Sequence, residues 1–332
     1  MAPLTFISLH ATFGAECRGV DFSQPVPDET IDEIRAAMAK FGVLVFRRTE
    51  LDGAGHERFA RQFGEPDVSA LDYSSGFGRR DRLAPRNELV DVGNVAKDGR
   101  VEPPDSLKSQ LYRANNLFHV DCAYNPRRAS YSILRAHQLP PKGTGGATEF
   151  ADTRTAYDDL DDETKRSIND LVVCHSVIHS RRLGAPDCAI LGWLRVDDFP
   201  TNHHRLVQLH EPSGRTNLYI AAHAHHYDDL TEEESRPLIQ ELLRHASQAK
   251  YTFKVDWRDE GDLVMWDNTC VMHRACGGSY QGRYIRDMRR ATVYDDSSTA
   301  WGVYGAGKKP RGGIRWTFLL VSLARYLASL VS

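Results

Sequence analysis

The stretch Asn116-Leu-Phe-His-Val-Asp121 carries an imidazole and a carboxylate two positions apart, and on a β-strand residues i and i+2 share a face. His119 and Asp121 can therefore meet one metal ion while Val120 packs behind them. A third ligand has to come from elsewhere, and the candidate is His273, in Trp266-Asp-Asn-Thr-Cys-Val-Met-His273. Two histidines and one carboxylate with open positions make the facial triad of non-haem Fe(II) oxygenases; three ligands with an open position also suit a catalytic zinc. In Arg286-Asp-Met-Arg-Arg290, strand alternation puts Arg286, Met288 and Arg290 on one face, so two arginines look inward while Asp287 and Arg289 look away. Two cations side by side away from water repel unless anions join them, which predicts a site for two anionic ligands.

The elements that must position these groups are legible in outline. Asp28 to Gly42 reads as a helix with an Asp cap, an acidic first turn, an apolar face at Ile31, Ile34, Met38 and Phe41, and a glycine stop. A buried strand is predicted at Val43 to Phe46, and a second amphipathic helix runs through His56, Phe59 and Phe63 to Gly64. From Glu65 to about Ser109 the chain is polar and aperiodic, which suits a functional loop lying over the site. Strands are predicted near 129–136, 147–150, 171–178, 206–209, 217–223, 251–255, 261–266 and 286–293. Helices are predicted over 152–171 and 231–247. The Gly/Pro-containing connection after Ile178 is expected to border the pocket. Many strands, few helices and Gly/Pro turns predict a mainly β fold with flanking helices, of sandwich or jelly-roll type.

Composition bounds the partners. The 332 residues can bury a sizeable core, and 41% hydrophobic with 26% charged residues describes an ordinary globular chain. A net charge of -3 without a sustained basic patch gives no sign of nucleic acid and favours a small molecule. The six cysteines are scattered, with neither a zinc ribbon nor a disulfide framework, which fits a reducing compartment. The first residues show no secretory signal, so a cytoplasmic location is expected. At the other end, Lys308-Lys-Pro-Arg311 precedes an apolar run from Trp316 to Ser332 that Arg325 interrupts. It reads as an interfacial helix, a homo-oligomer contact or a short membrane anchor.

Other histidines compete for attention. In Ala221-Ala-His223-Ala-His225-His226, neighbouring strand residues face opposite ways; His223 is the one expected to touch substrate, with surface or packing roles for His225 and His226. His203 and His204 fall in a predicted loop with a weaker claim on substrate. Asn116 is a candidate for the pocket border.

These motifs together resemble the taurine and 2,4-dichlorophenoxyacetate dioxygenase family, from about Ile7 to Asp296. The resemblance is most specific in Phe118-His-Val-Asp121, Gly145-Gly-Ala-Thr-Glu-Phe150, Gly261-Asp-Leu-Val-Met-Trp-Asp-Asn268 with His273, and Arg286 to Val293. The phenoxyacetate branch is nearer, through Ala129-Ser-Tyr-Ser-Ile-Leu134 and Ala221 to His226. The resemblance implies a double-stranded β-helix over residues 1–306 with a lid at 66–115, residues 307–332 standing apart as a tail. It implies Fe(II) on His119, Asp121 and His273, and 2-oxoglutarate held by Thr148 and Arg286. It also implies O2 as co-substrate and a small anionic substrate near Arg290, Asn116 and His223. An aryloxyacetate-like aromatic carboxylate is the expected substrate, hydroxylated at a C–H bond with succinate and CO2 released; a taurine-like sulfonate, a zinc hydrolase or a non-catalytic binding module are the alternatives. The segment between His273 and Arg286 is about two residues longer than in the taurine enzyme, a surplus expected in a turn at Gly277-Gly278.

Overall fold

The computed structural model describes residues 3–68, 82–83 and 88–305. The tail at 307–332, the greater part of 69–87, and with them Tyr73 and Phe77 lie outside the described residues. In chain order, β1 (Thr5–Ser8) and β2 (Ala15–Arg18) precede α1 (Asp28–Phe41), β3 (Val43–Phe46), α2 (Gly53–Arg61), β4 (Val90–Asp91), α3 (Leu107–Tyr112) and a 3-10 turn at Arg113–Asn116. β5 (Ala129–Gln138) and β6 (Thr148–Asp152) lead through α4 (Thr153–Asp158) and α5 (Asp162–Ile168) to β7 (Val172–Ser176), α6 (Val177–Gly184) and α7 (Ala189–Trp193). There follow β8 (Thr201–Arg205), β9 (Val207–His210), β10 (Arg215–Leu218), β11 (Ala224–Tyr227) and α8 (Glu232–Ala246). β12 (Thr252–Val255), β13 (Leu263–Asp267), β14 (Val271–Ala275) and β15 (Asp287–Tyr294) come last.

Seven strands form one sheet in the order β1-β2-β3-β13-β5-β15-β4; smaller sheets are β12-β6-β14, β11-β7-β8 and β10-β9. The central strands are buried on both faces, which is why β3 and β13 read as unbroken apolar runs. Alternation then sorts the side chains. Leu263 and Met265 join Ile31, Ile34 and Phe59 beneath α1 and α2, whereas Val264 and Trp266 join Phe150, Val255 and Val271 of the facing three-stranded sheet. Each such side chain, fully buried, contributes roughly 1.5–3 kcal/mol, so this two-sided core fixes the sheet that carries the site.

Several boundaries differ from the sequence reading. Pro27, not Asp28, is the N-cap of α1, and no side chain caps it; Gly42 closes it at φ 68 with its N–H on Met38 O. The helix expected over 152–171 breaks at Leu160, because Asp161 caps a new one through Thr164 N. The strand expected over 171–178 ends at Ser176, whose hydroxyl caps α6 through His179 N. His203 and His204 lie on strand β8 instead of a loop. α8 begins with the capping box of Thr231 and Glu234. Among the described residues, no helix is long and apolar enough to cross a membrane.

Candidate functional site

The segment 116–122 is not a continuous strand. One isolated antiparallel bridge joins His119 to His273 in the middle of β14, and the two residues exchange both backbone hydrogen bonds, at 2.9 and 2.8 Å. The rings are brought to 4.2 Å between centroids, and ligand atoms of His119, Asp121 and His273 all lie within 4.8 Å of one another. All three residues are buried, and Val120 packs behind them into the core beside Met272. His119 Nδ1 lies 2.8 Å from Leu117 O; a carbonyl only accepts, so Nδ1 carries the proton and Nε2 keeps its lone pair for a ligand.

Asp121 is held from three sides. Its N–H donates to Asn268 Oδ1 at 2.9 Å, its Oδ2 accepts from Ser132 Oγ at 2.7 Å, and its Oδ1 accepts from Arg290 Nη1. Asn268 is itself fixed, accepting from Trp266 Nε1 at 3.0 Å and donating to Ser130 O and Ser132 Oγ. The Trp266-Asp267-Asn268 turn thus aims His273, as its position suggests, and also clamps Asp121. Burial would raise the Asp121 carboxyl; Arg290, His273, His119 and the Ser132 hydroxyl outweigh it and hold it well below the usual range. Burial drives both imidazoles below their ordinary value, leaving neutral rings beside an ionised carboxylate. Beneath the turn, Asp267 Oδ2 accepts from His210 Nε2 at 3.0 Å.

One cavity reaches this cluster, and a second adjoins the first along Val92, Lys108, Tyr112 and Asn115. The first is lined by Asp121, His119, Arg290, His223, Tyr124, Asn115 and Arg181, with an apolar wall of Leu111, Ile178, Leu191, Leu194 and Phe199. Most of that wall comes from the connection expected to border the pocket. His223 Nδ1 is 2.8 Å from Ser180 Oγ, and its ring stands 5.9 Å from that of His119. Neither His203 nor His204 lines the cavity: His203 pairs with Asp228 at 2.5 Å, and His204 is buried against Tyr219.

The second cavity is lined by Arg286, Gly93, Asn94, Asn116, Ala275 and Tyr280. Asn116 therefore lies on the Arg286 side, exposed, while Asn115 borders both cavities. Arg286 Nε donates to Gly146 O at 3.0 Å, and no carboxylate among the described residues pairs with its guanidinium. Burial pushes that guanidinium below its ordinary value. Glycines make the approach possible: a Cβ at Gly93 would stand 2.5 Å from Arg286 O, and Gly146, at φ +90, lies under the arginine side chain. Thr148, on β6 opposite Ala275, is buried and accepts from Trp257 Nε1 at 3.2 Å; it lines neither of the two cavities. A bulge between Asp287 and Met288 precedes the run in which Met288 and Arg290 face inward, and Asp287 turns away to Arg82. Gly277 and Gly278 lie against Thr144 and Gly145, and the turn expected at them comes just after, over 279–283.

Arg181 is the residue sequence reasoning missed. It projects from α6 into the first cavity, bonded through Nη1 to Leu111 O at 2.8 Å and Asn115 Oδ1 at 3.0 Å, with no paired carboxylate among the described residues. Arg290, by contrast, already has Asp121. An arginine on a short helix carries no signal that it faces inward.

The residues fit a divalent ion with an organic dicarboxylate: two neutral imidazoles and one carboxylate converge, and the adjoining cavity holds a buried arginine with no paired carboxylate among the described residues. A family model, Taurine catabolism dioxygenase TauD, TfdA family, matches residues 5–292. The chain is 36% identical over 290 residues to the alpha-ketoglutarate-dependent 2,4-dichlorophenoxyacetate dioxygenase of Cupriavidus pinatubonensis, covering 87% of this chain and 97% of the relative. It is 33% identical over 274 residues to the (S)-phenoxypropionate/alpha-ketoglutarate-dioxygenase of Sphingobium herbicidovorans, covering 80% and 87%. Among solved structures it resembles AAD-2 in complex with Mn(II) and N-oxalylglycine, with TM-score 0.77, 33% identity, and 89% and 98% of the two chains covered. The site and these likenesses agree: the chain belongs to the TauD/TfdA dioxygenase family.

Proposed function

We infer that the chain is an Fe(II)- and 2-oxoglutarate-dependent dioxygenase that hydroxylates a C–H bond of a small anionic substrate with an apolar, ring-sized body excluded from water by the first cavity's wall. The observation that carries this is the buried His119–Asp121–His273 cluster, together with a buried Arg286 in the adjoining cavity that has no paired carboxylate among the described residues. Bound Fe(II) would couple O2 to the oxidative decarboxylation of 2-oxoglutarate, giving succinate and CO2 and placing the second oxygen atom in the substrate C–H bond.

The chain's own residues do the rest. His119, Asp121 and His273 hold the ion and leave positions open. Arg286 and the Thr148 hydroxyl take the far carboxylate of 2-oxoglutarate, the guanidinium by a planar fork that lysine lacks. Arg181, unpaired, and Arg290, which also steadies Asp121, receive the substrate anion; His223 borders it. The apolar wall favours an aryl body, as in the phenoxyacetate and phenoxypropionate enzymes the chain resembles, and holds the target carbon within reach. We read the seven-stranded sheet and the β12-β6-β14 sheet as the walls of a double-stranded β-helix within one domain, and, of the segment 66–115, the described residues 92–115 that line both cavities as its lid.

Anaerobic addition of 2-oxoglutarate to the Fe(II)-loaded chain is expected to produce a visible absorption band that His273→Ala abolishes. A panel of carboxylates and sulfonates scored by succinate release then identifies the substrate class. No Fe(II)-dependent band would remove the proposal.

A further inference from the structure

Behind α6, facing away from the first cavity, three groups from three elements converge: His179 of α6, His225 of β11 and Glu232 at the start of α8. His225 Nε2 lies 3.2 Å from one Glu232 oxygen and His179 Nδ1 3.7 Å from the other. The three ligand atoms fall within 4.8 Å of one another. In a tetrahedral site with bonds of about 2.0–2.1 Å, neighbouring donor atoms stand about 3.3 Å apart, so the His225–Glu232 pair already has that spacing and the His179–Glu232 pair needs only a small contraction. The set differs from the surface or packing role its sequence suggests for His225.

The chemistry is equally apt. Burial, with His225 alongside, pulls His179 down to about 4, so its ring is neutral at physiological pH and has a lone pair to give. His225 Nδ1 contacts His226 Nδ1 at 2.7 Å, an outer contact that orients the ring and leaves Nε2 toward Glu232. Both imidazoles are largely buried, at 15% side-chain exposure, while Glu232 is 43% exposed, giving an ion an entry path and water for a fourth position. Among the described residues, the one arginine or lysine paired with Glu232 is Arg236, at 3.8 Å and itself 57% exposed, which an arriving ion can displace into solvent.

We propose that His179, His225 and Glu232 bind a divalent transition-metal ion of the zinc class, separate from the His119–Asp121–His273 centre. The ion ties α6 to β11 and α8. Because α6 carries Ile178 and Arg181, and His223 immediately precedes β11, the same tie braces the wall of the first cavity.

Equilibrium dialysis of the tag-free full chain against Zn2+, with bound metal quantified by mass spectrometry, tests this. Wild type is expected to hold two equivalents, His225→Gln/Glu232→Gln one, and His119→Ala/His273→Ala one. A rise in Tm on adding Zn2+ is expected to persist in the second variant and to be lost in a triple variant that adds His225→Gln to it. Equal zinc uptake by wild type and His225→Gln/Glu232→Gln overturns the proposal. So does zinc-independent Tm in a folded His119→Ala/His273→Ala chain. One equivalent in wild type that disappears with His225→Gln/Glu232→Gln would instead uphold this site and count against the other.

Discussion

Arg286→Met separates binding from stability by moving them in opposite directions. Arg286 is 6% exposed, makes one side-chain hydrogen bond, to Gly146 O at 3.0 Å, and pairs with no carboxylate among the described residues. Methionine fills much of the same volume without charge. Losing a desolvated, bidentate arginine–carboxylate contact costs about 2–5 kcal/mol, which weakens 2-oxoglutarate about 30-fold to several thousand-fold. Without 2-oxoglutarate, the variant loses one hydrogen bond, about 1 kcal/mol, and is relieved of an unpaired buried cation whose desolvation costs at least as much. Its Tm is therefore expected to equal or exceed that of wild type. Arg286→Lys keeps the charge but not the fork and belongs at the small end of the affinity loss. Anaerobic calorimetry of 2-oxoglutarate binding with Mn(II) present, and thermal melts without it, read both quantities. Affinity within threefold of wild type, or a Tm lowered as by a core truncation, would refute the reasoning.

Arg181→Met is expected to raise the KM for the organic substrate at least tenfold while leaving 2-oxoglutarate binding unchanged, because Arg181 lines the first cavity and not the second; steady-state kinetics with each substrate varied in turn checks it, and equal losses for both would contradict the division of labour. The buried His210–Asp267 pair sets a pH dependence of stability. Burial would lower His210, but Cys270 and Asp267 lift it from 6.5 to about 10, so its contribution is full below pH 6.5 and is lost as pH rises through 10. Burial would raise Asp267, but His210 and Thr269 hold it at about 2 against 3.8, so its contribution is full above pH 3.8 and is lost as pH falls through 2. The Tm advantage of wild type over His210→Gln is thus expected to be greatest between about pH 4 and 6.5 and to shrink towards pH 10; a difference that stays constant over that range would count against the pairing.

The sequence was most informative where chemistry-bearing residue types cluster. His119, Asp121 and His273 do converge, with Asn268 and Arg290 on Asp121, although 116–122 is not a continuous strand and Arg286, ahead of β15 and its bulge, lines the adjoining cavity instead of sharing a strand face with Arg290. Most strands were legible because their apolar runs are long or alternate cleanly, as in β3, β5 and β13. Legibility failed where local capping beat periodicity, at Asp161 and Ser176, since a single side-chain hydrogen bond there restarts a helix. It failed also where a role depends on tertiary placement. Ser132 is an ordinary strand serine until Asp121 lies above it, Arg181 an ordinary helical arginine until α6 closes the pocket, and His225 a surface histidine until α6 and α8 bring His179 and Glu232 to it.

The paired backbone bonds between His119 and His273 have a consequence during synthesis. The first histidine and its aspartate leave the ribosome well before β13, β14 and β15 exist, so at this centre the nascent chain offers a passing ion only two of the three groups. A metal ion bound by all three would have to wait until the closing strands dock. Occupancy of the His119–Asp121–His273 centre would then report that those strands are in place.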